Sequence, residues 1–189
     1  FYVQQEIYQQ FCTDVVKRMN KLTFVGDTKN TKKSIDIGSM TMPSQIQHVK
    51  QLISQAKTVG ARVLYENTSQ YSNNPQCNLI SPYVLCDVNE KCDILKKETF
   101  GPVMCIIPFK TEKELLQQVN KNNFALGSSI FSKNLKTAER IGAQVDAGML
   151  TINDFNSVPI IHSLPFGGYK ESGFGKFNGP EGIRSFCRI

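Results

Sequence analysis

From Gln4 to Met19 the apolar residues Ile7, Phe11, Val15 and Met19 recur every fourth position, which places them on one face of a helix. After Pro43 the pattern returns with Ile46, Val49, Ile53 and Ala56 inward, predicting a second amphipathic helix that Gly60 should stop. A polar loop ending at Gly38 joins the two. Arg62 to Tyr65 reads as a short strand, Thr68 to Gln76 as an asparagine-rich loop, Leu79 to Val88 as extended chain, and Cys92 to Lys96 as a turn or short helix.

The second half is more regular. Val103-Met104-Cys105-Ile106-Ile107 is the unbroken apolar run that a strand covered on both faces needs. Thr111-Glu112-Lys113-Glu114 has the form of a capping box opening a helix with Leu115, Leu116 and Val119. A strand from Gly127 to Phe131, a helix from about Leu135 to Val145 and a strand from Met149 to Asn153 follow. Strand, helix, strand, helix, strand predicts an α/β protein with a doubly wound, mostly parallel sheet and helices on both faces. Ligands of such sheets lie at the carboxyl ends of the strands, where Asn153 and the loop after it fall.

That loop leads into Pro165-Phe166-Gly167-Gly168-Tyr169-Lys170-Glu171-Ser172-Gly173-Phe174-Gly175. Four glycines in eleven residues, interleaved with two phenylalanines, describe backbone that turns tightly beside a ligand or a neighbouring element. The later spacing Gly173, Gly175, Gly179 is no dinucleotide fingerprint, because neither the preceding strand nor the acidic residue about twenty positions on is present.

Composition narrows the classes. Hydrophobic residues at 40% and charged residues at 20% suit one globular unit of 189 residues. The net charge of +6 is spread out, its densest group being Lys29, Lys32 and Lys33 in a polar loop, so no nucleic-acid partner is expected. The six cysteines (Cys12, Cys77, Cys86, Cys92, Cys105 and Cys187) form no CxxC pair or other metal-ligand pattern. They read as reduced, mostly buried thiols of an intracellular, reducing compartment. The longest apolar stretch, Val103 to Phe109, is too short to span a bilayer. The chain opens on Phe1-Tyr2-Val3 without a methionine, so we expect it to be cut from something longer.

Several segments together resemble the aldehyde dehydrogenases: Phe1 to Phe11, Gly38-Ser39-Met40, Lys97-Glu98-Thr99-Phe100-Gly101-Pro102-Val103, Ala125-Leu126-Gly127, Ile152-Asn153 and Pro165 to Gly175. The resemblance covers essentially the whole chain. Ala125-Leu126-Gly127, Ile152 to Phe155, Ser163 to Gly168 and Phe177 to Gly182 look most like the plant family-22 members and their fungal relatives, a branch that tends to carry an N-terminal membrane anchor.

The resemblance implies oxidation of an aldehyde to an acid: a cysteine thiolate attacks, a hydride passes to NAD or NADP, and water activated by a glutamate releases the product. It implies a single partial catalytic domain over residues 1–189, with the cofactor-binding domain, the nucleophilic cysteine and the glutamate upstream, and a truncated C-terminal oligomerisation strand. No residue of this chain is then catalytic, and the isolated chain should be inactive.

Glu98 matches the carboxylate that accepts the nicotinamide-ribose hydroxyls, and Phe100 the aromatic at the nicotinamide end. Gln45 and His48 match positions approaching the same ribose, although the family often has lysine at the second, and Lys97 stands where an acid is common. Phe166 matches an aromatic of the aldehyde pocket, and Asn153 should hold the loop leading there. Two additional residues between Asn153 and Phe166 enlarge that loop. The small-molecule aldehyde is the expected partner, together with further copies of the protein. The competing reading is a binding or structural module that keeps the fold without the chemistry.

Overall fold

The computed structural model describes residues 1–23, 35–67, 78–155 and 157–187. The lysine group at 29–33, the loop at 68–76 and Cys77 therefore lie outside the described residues. The chain divides into two compact units, Phe1–Lys110 and Thr111–Ile189.

The first unit is built on a four-stranded sheet of order β1-β4-β3-β2. Strand β1 (Tyr2–Gln4) and strand β3 (Tyr83–Cys86) both run parallel to β4 (Val103–Phe109), and β2 (Arg62–Glu66) is antiparallel to β3. Consecutive residues of a strand point to opposite faces, and each face has its own helix. Val84, Cys86 and Ile106 pack with Tyr8 and Cys12 of α1 (Gln5–Met19), whereas Leu85 and Ile107 pack with Leu52 and Ala56 of α2 (Pro43–Thr58). A register shift between Val63 and Tyr65 turns both Leu64 and Tyr65 to the α1 side.

The face that α1 buries is rotated from the one its periodicity suggests. Ile7 is exposed, and Tyr8 and Cys12 head the inward stripe, joined by Phe11, Val15, Val16 and Met19. The Tyr8 hydroxyl reaches Asp87 Oδ1 at 3.4 Å, a partner an isoleucine could not use. Helix α2 buries the expected residues and Leu52 besides, and Gly60 closes it at φ +106°. The Cys92–Lys96 segment forms a 3-10 turn over Asp93–Leu95.

In the second unit Thr111 caps α3 (Glu112–Asn120), its hydroxyl accepting from Glu114 N at 3.2 Å. Strands β6 (Gly127–Ile130) and β7 (Met149–Ile152) are parallel and joined through α4 (Leu135–Gly142), a compact βαβ unit. Helix α4 ends three residues earlier than its pattern suggests. A Cβ on Gly142 would meet Leu150 Cδ2, so glycine here leaves room for that side chain between α4 and β7. Strand β5 (Phe124–Ala125) pairs antiparallel with β8 (Tyr169–Lys170), and α5 (Gly179–Arg184) closes the described chain. The α/β class with parallel strands is as expected. Its strands are nevertheless partitioned, β4 pairing with β1 and β3 while β6 pairs with β7. No helix among the described residues is long and apolar enough to cross a membrane.

Candidate active-site elements

Each unit carries one part of the predicted site. In the first, the segment between the 3-10 turn and β4 presents Glu98 and Phe100. Both side chains are exposed, Phe100 by 74%. Phe100 adopts φ +38°, a left-handed conformation that costs a bulky residue about 1–2 kcal/mol and must be held by its surroundings. Three residues on one face of α2 do the holding. Gln45 Nε2 donates to Thr99 O at 2.7 Å, His48 Nε2 lies 3.0 Å from Glu98 O, and the buried Val49 sits where a Cβ on Gly101 would fall 2.6 Å from its Cγ2. Glycine at 101 is thus what permits the loop to rest on the helix. Lys97, unlike the acid common at its position, pairs with Asp93 Oδ2 at 2.8 Å, one helical turn back.

Sequence reasoning selected Gln45, His48, Glu98 and Phe100, and the structure brings all four to one loop and one helix turn. What it missed was Val49, and the fact that the α2 side chains engage main-chain carbonyls of the loop.

In the second unit Asn153 stands at the carboxyl end of β7 with φ +55°. Its Oδ1 accepts from Ser132 N at 2.8 Å and its Nδ2 donates to Ser132 O at 2.9 Å, clamping the carboxyl ends of the two parallel strands. These bonds go to the chain after β6 rather than to the loop leading to Phe166. Phe166 and Phe177 exchange two backbone hydrogen bonds of 2.6 and 2.8 Å and bring their rings to 4.6 Å between centroids, tilted at 46°.

Between those two phenylalanines the glycine run folds back on itself. A Cβ on Gly167 would collide with Gly175 O, and one on Gly168 with Ser172 O, so these glycines serve close approach of backbone to backbone. Gly173 and Gly175 instead supply φ values of +129° and +74°.

Two lysine ammonium groups tie the run to its neighbours. Lys176 Nζ donates to Gly148 O at 2.9 Å, and Lys170 Nζ donates to Asn120 O at 2.7 Å and pairs with Asp146 at 3.0 Å. Ser172 Oγ accepts from Ala125 N at 2.8 Å. Neither lysine was given a role from the sequence, although Lys170 sits inside the glycine run and Lys176 directly follows it.

The thiols of Cys12, Cys86 and Cys105 are poor nucleophiles. Burial pushes Cys86 and Cys105 up to about 11 and raises Cys12 as well. Cys92 is fully buried, and Cys187 lies exposed just after α5. Among the described residues no group of three His, Cys, Asp or Glu side chains could hold a metal ion.

An exposed carboxylate beside an exposed aromatic on an anchored loop, a side-chain clamp across two parallel strand ends and a glycine run locked to its neighbours accord with one class. The chain belongs to the aldehyde dehydrogenase family, whose model matches residues 1–189. Among its relatives, 4-trimethylaminobutyraldehyde dehydrogenase A of Danio rerio is 36% identical over 191 residues, and the Bos taurus 4-trimethylaminobutyraldehyde dehydrogenase is 34% identical. All of this chain aligns to each, covering 37% and 38% of their lengths. The fold is similar to that of the Mycobacterium tuberculosis aldehyde dehydrogenase complexed with NAD+, at a TM-score of 0.86 and 28% identity over 98% of this chain and 37% of that one. Betaine aldehyde dehydrogenase from Staphylococcus aureus in complex with NAD+ matches at 0.84 with 26% identity, over 98% of this chain and 36% of its own.

Proposed function

We propose that this chain supplies the nicotinamide-ribose contacts and part of the aldehyde pocket of an NAD(P)-dependent aldehyde dehydrogenase. The observation that carries this is the Glu98–Phe100 loop, which holds a carboxylate and an aromatic ring open to solvent in a family member that spans little more than a third of its relatives' length. A carboxylate accepts two hydroxyl hydrogens at once, as a ribose diol offers, and a flat exposed ring suits a nicotinamide, so the residues present fit the group. When bound, that cofactor accepts the hydride of the aldehyde. Glu98 orients the ribose, Phe100 covers the ring end, and Phe166, with Asn153 holding the approach to it, contributes an apolar wall that limits water. None of the described cysteines is assigned the role of nucleophile.

Both units belong to one catalytic domain, the working protein is a homo-oligomer, and the free buried thiols support a reducing, intracellular compartment. The branch-like segments around Ala125, Ile152 and Phe177 support a place near the plant family-22 members, including a membrane anchor upstream.

The test is aldehyde-dependent reduction of NAD+ and NADP+ by the protein that carries this chain, followed by reduced-cofactor absorbance across aliphatic, aromatic and trimethylammonium aldehydes. Turnover of at least one aldehyde is expected. Folded protein that oxidises none of them would refute the proposal in favour of a binding module.

A further inference from the structure

We infer that Lys170 is a positioning residue for the aldehyde pocket: its ammonium group anchors the glycine run to the end of α3 and so sets where Phe166 stands. The inference rests on the proposed aldehyde site for its consequence, and on the structure of the second unit for its mechanism. Three oxygens surround Lys170 Nζ: Asn120 O at 2.7 Å, Asn122 O at 3.1 Å and Asp146 Oδ2 at 3.0 Å. An ammonium carries three hydrogens, so its donors are matched by acceptors of this chain. Two of these acceptors are carbonyls at and just beyond the last turn of α3, where main-chain oxygens lack helical partners and form the negative end of the helix dipole. The acceptors are held together independently of the lysine. Asn120 Nδ2 donates to Gln144 O at 2.7 Å and Asn120 Oδ1 accepts from Asp146 N at 2.9 Å, which fixes the turn carrying Asp146 against α3. Lys170 itself adopts φ +53°, a left-handed conformation that a side chain disfavours and that relaxes unless its surroundings hold it. The β5–β8 ladder pairs only Phe124 with Lys170 and Ala125 with Tyr169, too short a ladder to supply that hold alone. From Lys170 the constraint passes back to Phe166 through Gly168 and Gly167, whose close approaches to Ser172 O and Gly175 O leave the backbone between them no slack.

The experiment compares wild type, Lys170→Met, Asp146→Asn and the exposed-site control Lys136→Met in the protein that carries this chain. The readouts are amide hydrogen exchange of residues 166–173 without ligands, kcat and KM for an aldehyde that the wild type oxidises, and NADH affinity by fluorescence titration. Lys170→Met keeps most of the side chain's length and removes its charge and its hydrogens. The segment should then exchange about tenfold faster and the aldehyde KM should rise about tenfold, the scale that loss of hydrogen bonds from a charged donor supports, with kcat and NADH affinity within about threefold of wild type. Asp146→Asn leaves both carbonyls and a side-chain acceptor in place. Because Asp146 is half-exposed its ion pair adds little, so this variant should stay within about threefold of wild type, as should Lys136→Met. Unchanged exchange in Lys170→Met would overturn the anchor. Faster exchange with an unchanged KM would show that the anchor does not reach the pocket, and NADH affinity lost in step with KM would show a general loss of structure; either overturns the positioning role. An Asp146→Asn protein as impaired as Lys170→Met would place the effect in the ion pair and overturn the carbonyl anchor. A wild type that oxidises no aldehyde refutes the pocket reading instead, and the exchange comparison then decides the anchor by itself. Should Lys170→Met not fold, Lys170→Gln, uncharged and shorter than lysine, carries the same comparison.

Discussion

Gly148 is where the packing of the glycine run is most exposed to a single methyl group. In Gly148→Ala the new Cβ would stand 2.9 Å from the carbonyl carbon of Gly167 and 3.1 Å from that of Gly168, with Gly167 O closer still. Carbon atoms rest at about 3.5–4.0 Å, so the run must retreat by at least roughly half an ångström. All three obstructing atoms are backbone, and no rotamer change relieves them. Retreat also stretches the bridge from Lys176 Nζ to Gly148 O. Overpacking of this kind costs about 1–3 kcal/mol, and a weakened hydrogen bond adds up to about 1 more, for a total near 3 kcal/mol. At this chain length that corresponds to a melting midpoint lowered by about 6–12 °C. Gly38→Ala is the control, since a Cβ there meets nothing within 4 Å and its φ is ordinary, so it should leave the midpoint unchanged or raise it slightly. Thermal melting of both variants by circular dichroism decides the matter. A Gly148→Ala protein that melts with the Gly38→Ala control would refute the packing argument.

Further outcomes follow from the same structure. Asn153→Ala removes both bonds to Ser132 and leaves alanine at a left-handed φ, which should cost about 2 kcal/mol in urea unfolding, with Asn153→Gly retaining the conformation and losing less. In the native protein a thiol reagent at pH 8 should label exposed Cys187 well before buried Cys12, Cys86 and Cys92, and equal rates would contradict their burial. Because burial raises the thiols of Cys86 and Cys105 to about 11 from 9.0, the folded chain retains protons that the unfolded chain has released. That contribution to stability is complete below pH 9 and should be lost as pH rises towards 11. Replacing both by alanine should flatten the decline, and an unchanged slope would show that other groups cause it.

The elements that sequence made legible are those whose information is local. Helix α2, the βαβ unit and the Thr111 cap each follow from patterns within one short stretch of chain. Helix α1 shows the limit: the stripes headed by Ile7 and Tyr8 lie only one residue apart, and the second meets Val84, Cys86 and Ile106 of the sheet and Asp87, 79 positions from Tyr8. The partition of the strands was invisible for the same reason, because β1 finds its partner at residues 107–109, across more than half the chain. At the candidate site, residue identities pointed to Glu98, Phe100, Gln45 and His48. They could not show that the α2 side chains bond carbonyls, since every residue has one and sequence marks none of them. Lys170 and Lys176 were given no role on the same ground, their hydrogen-bond acceptors being main-chain oxygens and the Asp146 partner of Lys170 lying far off in sequence.

The glycine run is secured by main-chain contacts, two ammonium groups and one hydroxyl, so most of its outward side chains take no part in holding it. Phe174 is wholly exposed and Tyr169 largely so. Such a frame separates what must stay constant from what can drift. Mutation can explore new surface chemistry at positions 169, 171 and 174 at little cost to the backbone beneath, while each close-packed glycine and each lysine is held under its own constraint. A lineage built this way can change what it recognises one residue at a time. Phe174→Ala, expected to melt with the wild type, is the simplest measure of that freedom.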